Sequence, residues 1–170
     1  REHCAAVGID DAGLVVADRP TTTKQRVLAD RQQIVRLDRE TTTPLTGELE
    51  AAVVREVERA LAAGPSVVVV SDYAKGVLTP AVLRAAIGGA TALGIPVLVD
   101  PKSDDLSRYR GATLLKANAA EFAAAAGRAP GLDPVAEVLA HGPALAEAAG
   151  IGHLMVTLGA DGLVLLPSDR

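Results

Sequence analysis

Between positions 95 and 121 the chain twice builds an apolar run and twice ends it in charged or amide side chains. Residues 95–99 (IPVLV) stop at Asp100-Pro101-Lys102. Residues 112–115 stop at Lys116-Ala117-Asn118, where a helix-like segment begins with Glu121 three positions on. This repeated unit limits the fold more than any other feature. Buried strands with polar tips suit an open parallel α/β sheet, which binds ligands just beyond the carboxyl ends of its strands.

The same unit recurs on both sides. Residues 67–70 are four valines without alternation, which predicts a strand buried on both faces. They end in Ser71-Asp72-Tyr73-Ala74-Lys75-Gly76. Residues 153–157 (HLMVT) predict another strand, residues 158–162 (LGADG) a turn, and LVLLP a returning strand. Helical periodicity fills the gaps. Leu49, Val53, Val57 and Leu61 recur every four residues, predicting an amphipathic helix that covers the sheet, begins near Thr43-Pro44 or Thr46 and stops at Gly64-Pro65. Thr79-Pro80 opens a second helix, weakened by Gly88-Gly89 and ended by Gly94. A third runs from Asn118 to Gly127. A fourth runs from Asp133-Pro134 to about Ala149, with Gly142-Pro143 expected to bend or split it.

Ahead of this core, residues 1–7 read as the last turns of a helix closed by Gly8, and residues 13–17 (GLVVA) as a short strand. Residues 24–30 and 32–38 mix β-branched and polar residues, predicting two strands of a half-exposed antiparallel pair joined near Asp30-Arg31. Such a pair would stand apart from the main sheet as a flap or lid. The predicted class is α/β with a mainly parallel sheet flanked by helices and a small antiparallel β-lid.

Composition narrows the function. Hydrophobic residues make up 49% and aromatics 2%, so the core must be aliphatic. A net charge of −4 offers no attraction to nucleic acid or an anionic membrane. The single cysteine, Cys4, excludes an internal disulfide and fits a reducing, cytoplasmic setting. No apolar run approaches the roughly 20 residues that span a bilayer. His3, His141 and His153 are isolated, so no metal-ligand spacing involves them. The nucleophile elbow, the P-loop and the G-x-G-x-x-G fingerprint are all absent, which argues against hydrolases, P-loop enzymes and Rossmann dehydrogenases.

Asp72, Asp100, Asn118 and Thr157 each follow an apolar strand, so parallel strands would set all four along one edge. Each alone suits an ordinary turn or cap. Asn118 and Glu121 can form a helix N-terminus that favours phosphate, and Glu121 can hold Mg²⁺ through water; the same spacing also describes a simple capping pair. The Gly159 and Gly162 spacing allows close backbone approach to a nucleotide, or a hairpin turn. Lys24, Arg26, Lys75 and Lys102 are candidate phosphate donors, or solvated surface charges.

Four segments, TTTKQRVLADRQQIVRLD, VVVVSDYAKGVL, PVLVDPKSDDLSRYRGATLLKANAAEF and VTLGADG, resemble the PfkB/ribokinase family of sugar kinases. The first and SDYAKG resemble its branch acting on D-glycero-β-D-manno-heptose 7-phosphate. The resemblance implies transfer of phosphate from ATP, with Mg²⁺, to the anomeric hydroxyl of that sugar, towards ADP-heptose for lipopolysaccharide. It implies that Asn118, Ala119, Ala120 and Glu121 belong to the ATP/Mg²⁺ site, with Thr157, Gly159 and Gly162 near the nucleotide. It implies that Lys24, Arg26, Asp72, Lys75, Asp100 and Lys102 line the sugar side. Residues 21–40 would be lid and residues 46–170 core of one kinase domain, and a homodimer would form through the lid. The family's Gly-Gly-x-x-x-Asn and Gly-Ala-Gly-Asp segments are missing, so the chain reads as an internal piece of that domain. The catalytic Asp is expected beyond Arg170, and the 170 residues alone are expected to be inactive. Another ribokinase-type sugar or nucleoside kinase, or a non-catalytic nucleotide-binding module, stays open as an alternative.

Overall fold

A computed structural model describes residues 2–129, 131 and 133–167. Arg1, part of the first predicted helix, lies outside them. The order is α1 (Glu2–Ala6), β1 (Thr23–Ala29), β2 (Gln32–Arg39), α2 (Gly47–Ala62), β3 (Val68–Ser71) and α3 (Pro80–Leu83). A π-helical turn (Arg84–Gly88) and α4 (Gly89–Ala92) extend α3. Then come β4 (Val97–Asp100), β5 (Leu114–Asn118), α5 (Ala119–Ala125), α6 (Pro134–Ala149), β6 (His153–Thr157) and β7 (Leu163–Leu166).

The main sheet has the order β3-β4-β5-β6-β7. Its first four strands are parallel, and β7 returns antiparallel beside β6. Alternation along the strands separates two faces. Val70, Val97, Val99, Leu115, Leu154 and Val156 are buried against Ile87, Ala90, Val138 and Ala149 of the helical layer. The opposite face has no such cover among the described residues.

That one-sided arrangement corrects the reading of the valine run. Val69 is 66% exposed and Val67 is exposed too, because β3 is an edge strand and its second face carries no layer. The predicted strand at residues 13–17 does not form: no described strand pairs with it, and Gly13, Leu14, Val15 and Ala17 instead line an apolar cavity of about 510 Å³ against α2. Leu49, Val53 and Val57 also line that cavity. The stripe on α2 therefore meets that segment and the α3–α4 helices, with Leu61 reaching the core, rather than lying over the sheet.

Gly142-Pro143 does not split α6, which runs unbroken from Pro134 to Ala149. A β-carbon on Gly142 would collide with Leu166, so the glycine lets α6 sit close on β7. Gly88-Gly89 does mark a change of winding, at the junction of the π turn with α4.

β1 and β2 form the predicted separate pair, antiparallel, with a bulge between Val27 and Leu28. Asp30 and Arg31 have φ of 46° and 73°, the two left-handed positions that a two-residue turn between right-twisted strands needs. Every residue of both strands is exposed, so the pair is bare on both faces rather than half-covered.

Candidate active site

Parallel register brings the strand tips to one rim. Ser71 pairs with Asp100, and Asn118 pairs with Thr157. The Asp72 N–H donates to the Asp100 carbonyl (2.9 Å). The four residues singled out by position thus share one edge, but not one direction. Asp100, Lys116, Asn118 and Thr157 alternate onto the open face, whereas Asp72 turns inward and is 9% exposed.

On the open face, Lys116 Nζ donates to Asp100 Oδ1 (3.0 Å). Two residues on, Asn118 Oδ1 accepts the Glu121 N–H (2.9 Å), and Glu121 Oε2 accepts the Asn118 N–H (3.0 Å). This reciprocal box satisfies two of the free donors at the start of α5. The other Glu121 oxygen accepts from Lys102 Nζ (3.3 Å). Ala119 and Ala120 form the first turn of α5, where unpaired N–H groups favour an anion. The Thr157 hydroxyl donates to the Ala117 carbonyl (3.4 Å). Gly159 and Gly162 have φ of 65° and 87°, and a β-carbon on either would meet nothing within 4 Å. Their turn faces open space beside Thr157.

The second wall is built from the loop after β3 and the base of the hairpin. Asp72 Oδ1 accepts the Ala74 N–H (2.7 Å), bracing a non-glycine residue at φ 52°. Gly76 follows at φ 78°, pressed against the Thr43–Pro44 backbone. The Leu45 N–H donates to the Gly76 carbonyl (2.8 Å). Lys75 Nζ donates to Glu40 Oε1 (2.6 Å), and Lys24 Nζ lies 3.6 Å from Glu40 Oε2. Arg19 donates to the carbonyls of both Thr41 and Lys75 (3.2 Å each).

Along the hairpin, Asp38 accepts from Lys24 Nζ and Arg36 Nε (2.9 Å each). The Lys24 hydrogen bond, followed by that from Arg36, holds the Asp38 carboxyl below its usual range. The Lys75 hydrogen bond does the same for Glu40. Arg26 stands opposite Arg36 in register and has no ion-pair partner among the described residues. Arg36 is already neutralised by Asp38, which leaves Arg26 as the member of this facing pair without an acidic partner among the described residues.

Tyr109 is fully buried, and its hydroxyl donates to Asp72 Oδ2 (2.6 Å). Burial first, and the neighbouring carboxylate second, push the phenol up to about 12. Sequence reasoning missed Tyr109, Glu40 and Lys116. A lysine two positions before Asn118 within a strand was a legible signal for Lys116; the contacts of Tyr109 and Glu40 span 37 and 35 residues and left none.

The rim gathers donors of the kind that suit a polyanion. It offers amide donors at α5, Lys102 and Lys116 on the open face, and a separate cationic edge on the hairpin. Among the described residues no three acidic, histidine or cysteine side chains group to hold a metal. Glu121 alone fits an ion that keeps most of its waters.

The class follows from a match over residues 1–170 to the family described as pfkB family carbohydrate kinase, to which the chain belongs. In sequence it is 40% identical to the bifunctional protein HldE of Pelobacter propionicus, over 95% of this chain and 36% of that protein. It is 45% identical to the HldE of Azorhizobium caulinodans, over 95% of this chain and 33% of that protein. The fold is similar to ribokinase from Giardia lamblia (TM-score 0.70, 14% identity, covering 99% of this chain and 51% of that one). It is also similar to phosphofructokinase-2 from Escherichia coli in complex with potassium (TM-score 0.64, 20% identity, covering 88% and 47%). The chain spans about a third of the length of these curated relatives and about half of these solved chains. Among the described residues no helix is long and apolar enough to cross a membrane.

Proposed function

We propose that these residues form the nucleotide wall and the lid of a cytoplasmic kinase that phosphorylates D-glycero-β-D-manno-heptose 7-phosphate. ATP would supply the phosphoryl group and the anomeric hydroxyl would receive it, giving the 1,7-bisphosphate on the route to ADP-heptose. The observation that carries this reading is the common rim. Asp100, Asn118 and Thr157 lie on one open face, and the hairpin joins the neighbouring loop after β3 through Lys75 and Glu40.

In this reading Asn118, Ala119 and Ala120 orient the nucleotide phosphates through the start of α5. Thr157, Gly159 and Gly162 border the nucleotide. Glu121 holds the water shell of Mg²⁺, which when bound neutralises charge on the transferring phosphates. Lys102 is released from Glu121 towards phosphate, and Asp100 and Lys75 line the sugar side. Lys24 and Arg26 take the sugar's own phosphate. The bare hairpin supports a homodimer through the lid.

Turnover by the 170 residues alone is not expected. Of the two rim aspartates, Asp72 is buried on Tyr109 and Asp100 is paired with Lys116. Sugar-dependent ADP release by this chain alone would sink that part.

The test of function is a substrate panel on the protein as encoded, with Mg·ATP and either heptose 7-phosphate, fructose 6-phosphate, ribose or a nucleoside. Preference for the phosphorylated heptose is expected. Turnover of another substrate with higher kcat/KM would reassign it, and no turnover with any would remove the kinase reading.

A further inference from the structure

We propose that Tyr109 is a positioning residue of the sugar side, acting through Asp72 and the Ala74 turn to set Lys75. This rests on the kinase reading above. A buried phenol meets a buried carboxylate at the margin of a core otherwise built from aliphatic side chains and Phe122. A phenylalanine would fill the same space but would leave the Asp72 carboxylate without its donor, and a buried charge is tolerated only when it is fully partnered.

Asp72 is fully partnered, and by groups that belong to the cleft. Its Oδ2 takes the Tyr109 hydroxyl and its Oδ1 takes the Ala74 N–H. The Tyr109 oxygen in turn accepts the Lys102 N–H (3.5 Å). One buried hydroxyl therefore ties together the loop after β3, the loop after β4 and the turn before β5.

The consequence falls on Lys75. Ala74 sits in a left-handed conformation that a non-glycine residue keeps only when its surroundings impose it. Asp72 imposes it, and the next residue is the lysine that meets Glu40 at the base of the hairpin. With both oxygens occupied, Asp72 serves by holding the loop rather than by touching the sugar. Its position at a strand tip had grouped it with the binding residues; its partners place it behind them.

The test is Tyr109→Phe in the protein as encoded, which removes one oxygen and leaves the ring. The KM for the sugar phosphate should rise about five- to tenfold, with the KM for ATP within twofold and a lowered melting temperature, since Asp72 loses a buried donor. In a Lys75→Ala background the same substitution should add less than twofold, because its route runs through Lys75. An unchanged sugar KM, or effects that multiply independently, would overturn the assignment. Amide exchange gives a readout apart from turnover: the Ala74 N–H should exchange at least tenfold faster in Tyr109→Phe. If the protein phosphorylates no sugar, the kinase reading fails, and exchange alone decides; an unchanged Ala74 rate then rejects the positioning role. Should Tyr109→Phe not fold, Asp72→Asn is measured in the same way, with the same direction expected and the same unchanged result rejecting it.

Discussion

Lys75 and Glu40 meet at 2.6 Å across 35 residues of sequence, joining the loop after β3 to the end of β2. Around that contact gather Lys24 and Arg19, so polar groups at this corner join the hairpin to the core.

That corner should respond to acid. Asp38 and Glu40 titrate below their ordinary values of 3.8 and 4.5 in the folded protein. Depressed carboxylates contribute stability that is present above the unfolded values and is lost as pH falls through the folded ones. Protection of the β1 and β2 amides, relative to their intrinsic exchange at each pH, should therefore hold down to about pH 4.5 and fall below it. Glu40→Gln should show the lower protection already at neutral pH. Protection that stays constant between about pH 6 and 3 would contradict this.

Tyr109 makes a separate alkaline prediction. Its phenol is raised from 10.0 to about 12, so the stability it contributes is present below pH 10 and is lost as pH climbs towards 12. Phenolate absorbance should show a step near pH 12 that vanishes in Tyr109→Phe.

Asn118 and Glu121 can be separated by substitution. Asn118→Ala removes the cap and should lower stability by about 1 kcal/mol in chemical denaturation. Glu121→Gln keeps an acceptor for the Asn118 N–H, so stability should change little. If the carboxylate holds a hydrated Mg²⁺, the concentration of that ion needed for half-maximal turnover should rise about tenfold. Equal metal dependence in both proteins would remove Glu121 from the metal site.

Gly76→Ala should be severe. The new β-carbon would overlap the Thr43 carbonyl oxygen and its residue would have to hold φ 78°. A loss of about 2–4 kcal/mol in urea unfolding is expected. Gly64→Ala, also at positive φ but with nothing within 4 Å, should lose less, and comparable losses would show that close approach plays no part.

How far the chain could be read in advance depended on the range of the contacts involved. The polar tips at Asp100, Asn118 and Thr157 were legible because strand length and chain direction alone bring them to one edge. The capping box was legible because Asn118 and Glu121 are three residues apart. The valines at 67–70 misled, since composition reports affinity for burial and not whether a covering layer exists; Val69 lies on the face without one. Residues 13–17 misled similarly: their apolar run packs over α2 instead of entering a sheet. Asp72 was legible as a strand tip on this rim, but its buried contact with Tyr109 was not, because only the fold brings the two together across 37 residues.

The hairpin has solvent on both sides, so burial of apolar surface does nothing to fix its angle to the core. What joins it to the core is one polar corner, the Lys75 and Lys24 contacts with Glu40 beside the Arg19 bonds to the Thr41 and Lys75 carbonyls, and dissolved ions weaken the charge pairs among these, over a Debye length of about 10 Å at 0.1 M. Ionic strength should thus loosen that corner first, before it touches the aliphatic body.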